Sequence, residues 1–80
     1  MDLQVLRTFM MAAELGSLSR ASAALGVAQS ALSRQLSALE AEVGSRLFHR
    51  TGRGMTLTEA GLSMLPRARA LLSDAQAMVD

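Results

Sequence analysis

Residues 21–36 read ASAALGVAQSALSRQL, and their pattern predicts the central motif of the fold. Apolar residues at helical spacing lead up to Gly26, and a second run of the same kind follows Val27. Glycine favours the left-handed conformation that ends a helix. A helix of about two turns, a glycine-containing turn and a longer helix are typical of the helix-turn-helix, whose second helix lies in the DNA major groove.

The longer helix is predicted over Gln29–Val43, where Gly44 ends it. One stripe is apolar and faces the first helix of the motif: Leu32, Leu36, Leu39 and Val43. The opposite stripe carries short hydrogen-bonding groups that suit base edges and phosphates: Gln29, Ser30, Ser33, Arg34 and Ser37. Glutamine pairs bidentately with adenine, arginine binds guanine or phosphate, and serine reaches either kind of group. An ordinary helix whose serines face water is the alternative.

Two helices are predicted before the Gln29–Val43 helix. The first is capped by Asp2 and ends at Gly16, and its apolar face is Leu3, Leu6, Met10 and Ala13. The second has barely two turns, begins after a cap at Ser19 and ends at Gly26.

A hairpin follows the helix-turn-helix, with strands at residues 47–50 and 55–57 joined by a glycine-containing loop at residues 51–54. All eight basic residues of the chain are arginine, and residues 43–58 hold three of them without an acidic residue. Arg53 lies between two glycines, which suits insertion of its charge into a DNA minor groove. A winged helix-turn-helix is therefore predicted over residues 1–58. A solvated loop with scattered arginines is the alternative.

The last helix is predicted over residues 59–80 after a cap at Thr58, with Pro66 bending or weakening it near Leu62. Its apolar stripe is too broad to be buried on a small winged domain, and it predicts a twofold dimer through Leu65, Ala68, Leu72, Ala75 and Val79. A membrane-surface helix is disfavoured because the polar face is not strongly basic.

Composition excludes several classes of function. Absence of cysteine removes disulfides, a thiolate nucleophile and cysteine-based zinc sites, and one histidine adds too few ligands for a transition metal. His49 has no carboxylate or thiol at a catalytic or ligand spacing, so we expect neither an enzyme nor a cofactor or metal. The longest apolar run covers only residues 9–13, and we expect no membrane segment and a cytoplasmic location.

Glu40 is expected to pair with Arg46 or Arg50 and to fix the wing.

The whole chain resembles the N-terminal domain of LysR-type transcriptional regulators. The resemblance rests on residues 21–36, Leu39, Glu40, Gly44, the run LFHR at 47–50, Arg53 and the run LTEAG at 57–61. Ser22 stands where the family usually has alanine, Ala28 where it often has serine, and Ser30 where it often has proline. Ala28 thereby loses a helix-capping side chain, worth roughly 0.5–2 kcal/mol.

The resemblance implies a bacterial, mainly α winged helix-turn-helix regulator with three helices, a two-stranded wing and a long linker helix. Its base-reading positions fall on Gln29, Ser30, Ser33 and Arg34, its minor-groove position on Arg53, and its DNA-backbone contacts on Ser17, Ser19, Arg20 and Arg50. It also implies an effector-binding domain that is absent from this chain and would bind the small molecule, pairing through linker helices, and tetramers in the full-length parent. The expected partner is promoter or operator DNA in the nucleoid, at an interrupted inverted repeat.

Two other functions stay open at this point. A protein-interaction module that uses the same helices would bind its partner independently of Arg53. A small enzyme is disfavoured by the residue inventory.

Overall fold

The computed structural model describes residues 1–79, which form four helices and a two-stranded sheet. In chain order these are α1 (Leu3–Leu15), α2 (Leu18–Leu25), α3 (Gln29–Val43), β1 (Phe48–Thr51), β2 (Gly54–Leu57) and α4 (Glu59–Val79). The predicted mainly α architecture, with a β wing and a long final helix, is confirmed. No helix described over residues 1–79 is long and apolar enough to cross a membrane.

Both predicted ends of α1 are confirmed. The Asp2 carboxylate accepts a hydrogen bond from the Val5 N–H at 2.8 Å, and Gly16 ends the helix at φ +63°. The predicted apolar face is displaced, because Leu6, Phe9 and Ala12 point into the core together with Thr8, whereas Leu3 is exposed.

The cap of α2 is Ser17, and the prediction of Ser19 is wrong. Ser17 Oγ accepts from the Arg20 N–H at 3.1 Å, which starts the helix two residues earlier than expected. Ser22 closes the turn after α2, since its hydroxyl donates to the Val27 carbonyl at 2.6 Å. Gly26 ends α2 in the left-handed conformation, as predicted.

The bounds of α3 agree with the prediction, and so does the burial of Leu32, Leu36 and Leu39. Val43 departs from the predicted stripe and is 39% exposed, because it lies in the last turn beside Gly44, beyond the centre of the core. Glu40, one turn earlier, is buried instead and has backbone partners in the chain that leads into the wing.

The wing is a hairpin in which β1 and β2 pair antiparallel, with Phe48 opposite Leu57 and Thr51 opposite Gly54. The loop is therefore shorter than predicted, and only residues 52 and 53 connect the strands. Phe48 packs its ring on Phe9 of α1, with ring centroids 5.5 Å apart. The only two aromatic side chains of the protein thus join the wing to the first helix.

Thr58 caps α4, as predicted, and also ties it to the wing. Its Oγ accepts from the Gly61 N–H at 3.1 Å and donates to the Arg46 carbonyl at 2.6 Å. Gly61 is buried against the Leu47 carbonyl, where a Cβ atom would collide. The helix is assigned as one continuous element on both sides of Pro66, and residue 80 lies outside the described residues.

Candidate nucleic-acid interface

The outer face of α3 is polar because its leucines recur every three or four residues and take up the opposite side. Gln29, Ser30 and Arg34 are exposed, and Ser33 is half-buried. All four predicted base-reading residues therefore reach the surface.

The inner face of α3 is tied to α1 by one partly buried polar contact. The Thr8 hydroxyl is fully buried and donates to Gln35 Oε1 at 2.7 Å. A satisfied hydrogen bond away from water adds rigidity and specificity to apolar packing. It therefore supports the orientation of α3 that its buried leucines establish.

The N-terminus of α3 is open. Ala28 provides no side-chain cap, and no acidic residue lies in the first turn. The first backbone N–H groups of a helix lack partners within it and carry the positive end of the helix dipole. This end of α3, which begins at Gln29, therefore has N–H groups that can bind an anion.

The tip of the wing is ordered by Thr51. Its Oγ accepts from the Arg53 N–H at 3.2 Å and donates to the Gly54 carbonyl at 3.3 Å. The Met55 N–H donates to the Gly16 carbonyl at 3.0 Å, which anchors β2 to the turn after α1. The exposed Arg53 side chain is thus presented on a hairpin whose tip is fixed by the Thr51 contacts and by the bond from Met55 to Gly16.

A cleft of about 410 Å³ lies between the start of α2, the start of α3 and the wing. It brings together five of the nine side chains that the sequence predicts to bind DNA: Ser17, Ser19, Gln29, Arg50 and Arg53. Ser17 has a structural role as well, since it caps α2. The other four predicted residues lie outside this cleft: Arg20 is exposed on α2, Ser30 and Ser33 lie on α3, and exposed Arg34 borders a separate groove that Val5 and Glu42 also line.

Arg50 makes a contact that the sequence did not reveal. Its Nη1 donates to Ser33 Oγ at 3.1 Å, across 17 positions of the chain. The two residues were predicted to have separate roles, one at a phosphate and one at a base. Only the docking of the wing beside α3 brings them together, and no local pattern signals it.

Glu40 pairs with Arg46, as predicted, but its stronger contact is with the backbone. Its Oε2 accepts from the Leu47 N–H at 2.7 Å, from the Phe48 N–H at 3.4 Å and from Arg46 Nε at 3.4 Å. Sequence reasoning anticipated the ion pair and missed the two amides. The predicted alternative partner, Arg50, is bonded to Ser33 instead.

The charge of the interface is uncompensated. Over residues 1–79 the carboxylates in ion pairs hold Arg46, Arg69 and the terminal ammonium of Met1. The arginines predicted to contact DNA have no carboxylate within 4.0 Å in that part of the chain: Arg20, Arg34, Arg50 and Arg53. Such a surface attracts a polyanion.

The described residues contain no group of three metal-binding side chains. His49 is exposed on β1 opposite Thr56.

The residues of the predicted dimer stripe on α4 differ in exposure. Ala68 is 1% exposed and packs inside this chain, so the structure removes it from the surface open to a partner. Leu65, Leu72 and Ala75 are half-buried. Val79 is 81% exposed, and the neighbouring Met78 is 86% exposed.

Comparison with known proteins agrees with this geometry. Residues 3–62 match the family described as bacterial regulatory helix-turn-helix protein, lysR family. An uncharacterized HTH-type transcriptional regulator in the ibpB-leuC intergenic region of Azotobacter vinelandii is 48% identical over 91% of this chain and 51% of its own length. The HTH-type transcriptional regulator DgdR of Burkholderia cepacia is 46% identical over 90% of this chain and 24% of its own. The chain thus spans about half or less of these relatives.

Solved structures match over nearly the whole chain. The complex of the CbnR DNA-binding domain with DNA superposes with a TM-score of 0.96 at 39% identity, covering 100% of this chain and 92% of that one. The complex of the BenM DNA-binding domain with catB site 1 DNA gives 0.94 at 38% identity, covering 99% and 89%. The family match, the relatives and the shared fold agree: this chain belongs to the lysR family of bacterial regulatory helix-turn-helix proteins, and it is a DNA-binding domain rather than an enzyme.

Proposed function

We propose that residues 1–58 bind double-stranded DNA in a sequence-specific manner, with α3 in the major groove and Arg53 in the minor groove. The observation that carries this proposal is the cleft that joins Gln29, Arg50 and Arg53 on one side of the molecule. A helix in the major groove and an arginine in an adjacent minor groove must approach DNA from the same side. The DNA complexes of CbnR and BenM, which share this fold, support the same reading.

Within this proposal the residues have different tasks. Base edges are read by Gln29, Ser30, Ser33 and Arg34 on the outer face of α3. Phosphates are held by Ser17, Ser19, Arg20 and Arg50. Phosphate contacts fix the position and orientation of the protein, and base contacts supply the specificity.

We further propose that residues 59–80 form a linker helix through which two copies pair. Three exposed apolar residues of α4, Leu71, Met78 and Val79, offer surface that this chain does not cover. Half-buried Leu65, Leu72 and Ala75 add their remaining surface to it. A twofold dimer binds two half-sites in opposite orientation, so the expected DNA site is an interrupted inverted repeat.

For a longer parent protein we propose a further effector-binding domain, a small-molecule effector bound there, and tetramers built from two dimers. The greater length of the curated relatives supports this proposal. We also place the protein in the cytoplasm, on the nucleoid when bound, since its family consists of bacterial regulators.

Selection from a randomised pool of duplexes at low salt tests the function. We expect enrichment of an inverted repeat whose half-sites carry positions that respond to Gln29→Ala and Arg34→Ala. Retention of DNA without any enriched sequence, falling steeply with salt, would reduce the role of α3 to electrostatic holding. It would favour a protein-interaction module instead, particularly if capture of a partner does not depend on Arg53.

A further inference from the structure

The wing and α3 are joined at the proposed DNA surface by the bond between Arg50 Nη1 and Ser33 Oγ, 3.1 Å long. Arg50 lies on β1, where it pairs with Met55 of β2. Since β2 is anchored to the Gly16 carbonyl, the arginine projects from a fixed support. The contact therefore couples two separately supported elements.

The charge of Arg50 is not neutralised by an ion pair within residues 1–79. Glu40 lines a neighbouring groove together with Arg50, but its carboxylate is taken by the Leu47 N–H and by Arg46. No other carboxylate within residues 1–79 forms an ion pair with Arg50. A guanidinium has five N–H donors, so the bond to Ser33 leaves the others available to a phosphate.

The bond from Arg50 leaves the Ser33 hydroxyl available as a hydrogen-bond donor. A hydroxyl has one donor and two acceptor sites, and Arg50 occupies one of the acceptor sites. Serine within a helix often donates to the carbonyl four residues earlier. Among residues 1–79 the Ser33 hydroxyl has no such acceptor, so its hydrogen is free to point outward.

We propose that Arg50 is a positioning residue for base recognition, which orients Ser33 as a hydrogen-bond donor to the DNA. The inference rests on the proposed function and adds the chemical class of base that Ser33 selects. The cation beside Oγ favours an incoming acceptor and repels the amino group of a base. In the major groove guanine offers the acceptors O6 and N7 and thymine offers O4, whereas adenine has an amino group beside its N7 acceptor and cytosine presents only an amino group. Ser33 therefore selects guanine or thymine.

Base-preference profiles of four proteins test the proposal: the wild type, Ser33→Ala, Arg50→Ala and the double variant. They are measured at low salt, where electrostatic attraction keeps weakened variants bound. We expect Ser33→Ala to flatten the preference at one position of each half-site by about three- to tenfold, the range of one hydrogen bond. Arg50→Ala should flatten the same position and also weaken every duplex. The double variant should flatten it no further.

The matched control is Arg20→Ala, which removes another exposed arginine that has no contact with Ser33. It should weaken all duplexes and leave the preference unchanged. Thermal melting of each variant verifies folding, and both Arg50 and Ser33 lie outside the buried core.

A duplex probe tests the donor role of Ser33 directly. If guanine is preferred at the sensitive position, 7-deazaguanine removes its N7 acceptor; if thymine is preferred, an analogue without O4 does the same. The wild type should lose affinity on this substitution, and Ser33→Ala should not respond.

Three results would overturn the inference: a preference for adenine or cytosine at the Ser33 position, an Arg50→Ala profile that keeps this preference, or equal loss on the analogue in both proteins. A wild type without any base preference would overturn the proposed function itself, and this inference with it. The two failures are thus distinguishable.

Discussion

The Glu40 carboxylate of α3 accepts a hydrogen bond from the Leu47 N–H at 2.7 Å, and this contact fixes the end of α3 to the start of the wing. The Leu47 carbonyl on the other side of the same residue accepts from the Thr58 N–H at 3.0 Å, at the start of α4. One residue thus connects α3, the wing and α4. The relative placement of the proposed DNA-reading helix and the proposed dimer helix depends on this junction.

Removing the Glu40 carboxylate should destabilise the fold. In Glu40→Ala the buried Leu47 N–H loses its acceptor, and we expect the free energy of unfolding to fall by about 1–3 kcal/mol. Glu40→Gln keeps one acceptor oxygen and should lose less. Urea denaturation measures both. Glu42→Ala is the control, since Glu42 is about half exposed and pairs only with the terminal ammonium; an equal loss there would contradict the role of the junction.

Gly54→Ala should disrupt the tip of the wing, where Gly54 pairs with Thr51. Gly54 has φ +138°, and a Cβ atom there would collide with the Gly16 carbonyl. The backbone conformation alone costs of order 1–3 kcal/mol for a residue other than glycine. Thermal melting should show a clear loss for Gly54→Ala. Gly52→Ala meets open space and should cost less; the reverse order would show that the hairpin is held differently.

Ala28→Ser should stabilise the protein. Ala28 caps α3 without a side-chain hydrogen bond, and serine at this position supplies an acceptor for the first turn. We expect a gain of roughly 0.5–2 kcal/mol in the free energy of unfolding, measured by denaturant titration. Ala24→Ser on α2, exposed but not at a cap, is the matched control and should give no gain.

Arg53→Ala and Gln29→Ala should weaken DNA binding in different ways. Loss of Arg53 should lower the affinity for every duplex and reduce the slope of log affinity against log salt by about 1. Loss of Gln29 should cost roughly 1–3 kcal/mol at one base pair of the selected site. Fluorescence anisotropy across a salt series separates the two effects. A uniform loss for Gln29→Ala would remove it from the base-reading set.

A charge at the exposed end of α4 should separate the proposed dimer. Val79→Asp places a carboxylate on an apolar surface that this chain leaves uncovered, and we expect a monomer by sedimentation equilibrium with an unchanged helical spectrum. Ser73→Asp, an exposed position about a third of a turn from Val79 around the helix axis, should remain dimeric. A wild type that is strictly monomeric at high micromolar concentration would contradict pairing through α4.

Local sequence patterns were sufficient to predict the helices and strands and their order. Caps at Asp2 and Thr58, terminal glycines at 16, 26 and 44, and leucines at helical spacing in α3 are local signals, and the structure confirms all of them. Local signals were less reliable where two candidate N-cap residues lay close together. Ser17 and Ser19 are both good caps, and only the path of the chain into α2 selected Ser17.

Contacts between side chains that are distant in sequence depend on the tertiary structure. The bond from Arg50 to Ser33, the amides held by Glu40 and the burial of Ala68 each depend on how separate elements dock. Periodicity reveals that a helix has an apolar face, but it does not reveal how much of that face the same chain will cover. For α4 the difference matters, because packing on α1 occupies Ala68 and leaves Met78 and Val79 exposed. Helix formation depends on neighbours along the chain, whereas docking depends on the complementary shape and polarity of surfaces that are distant in sequence.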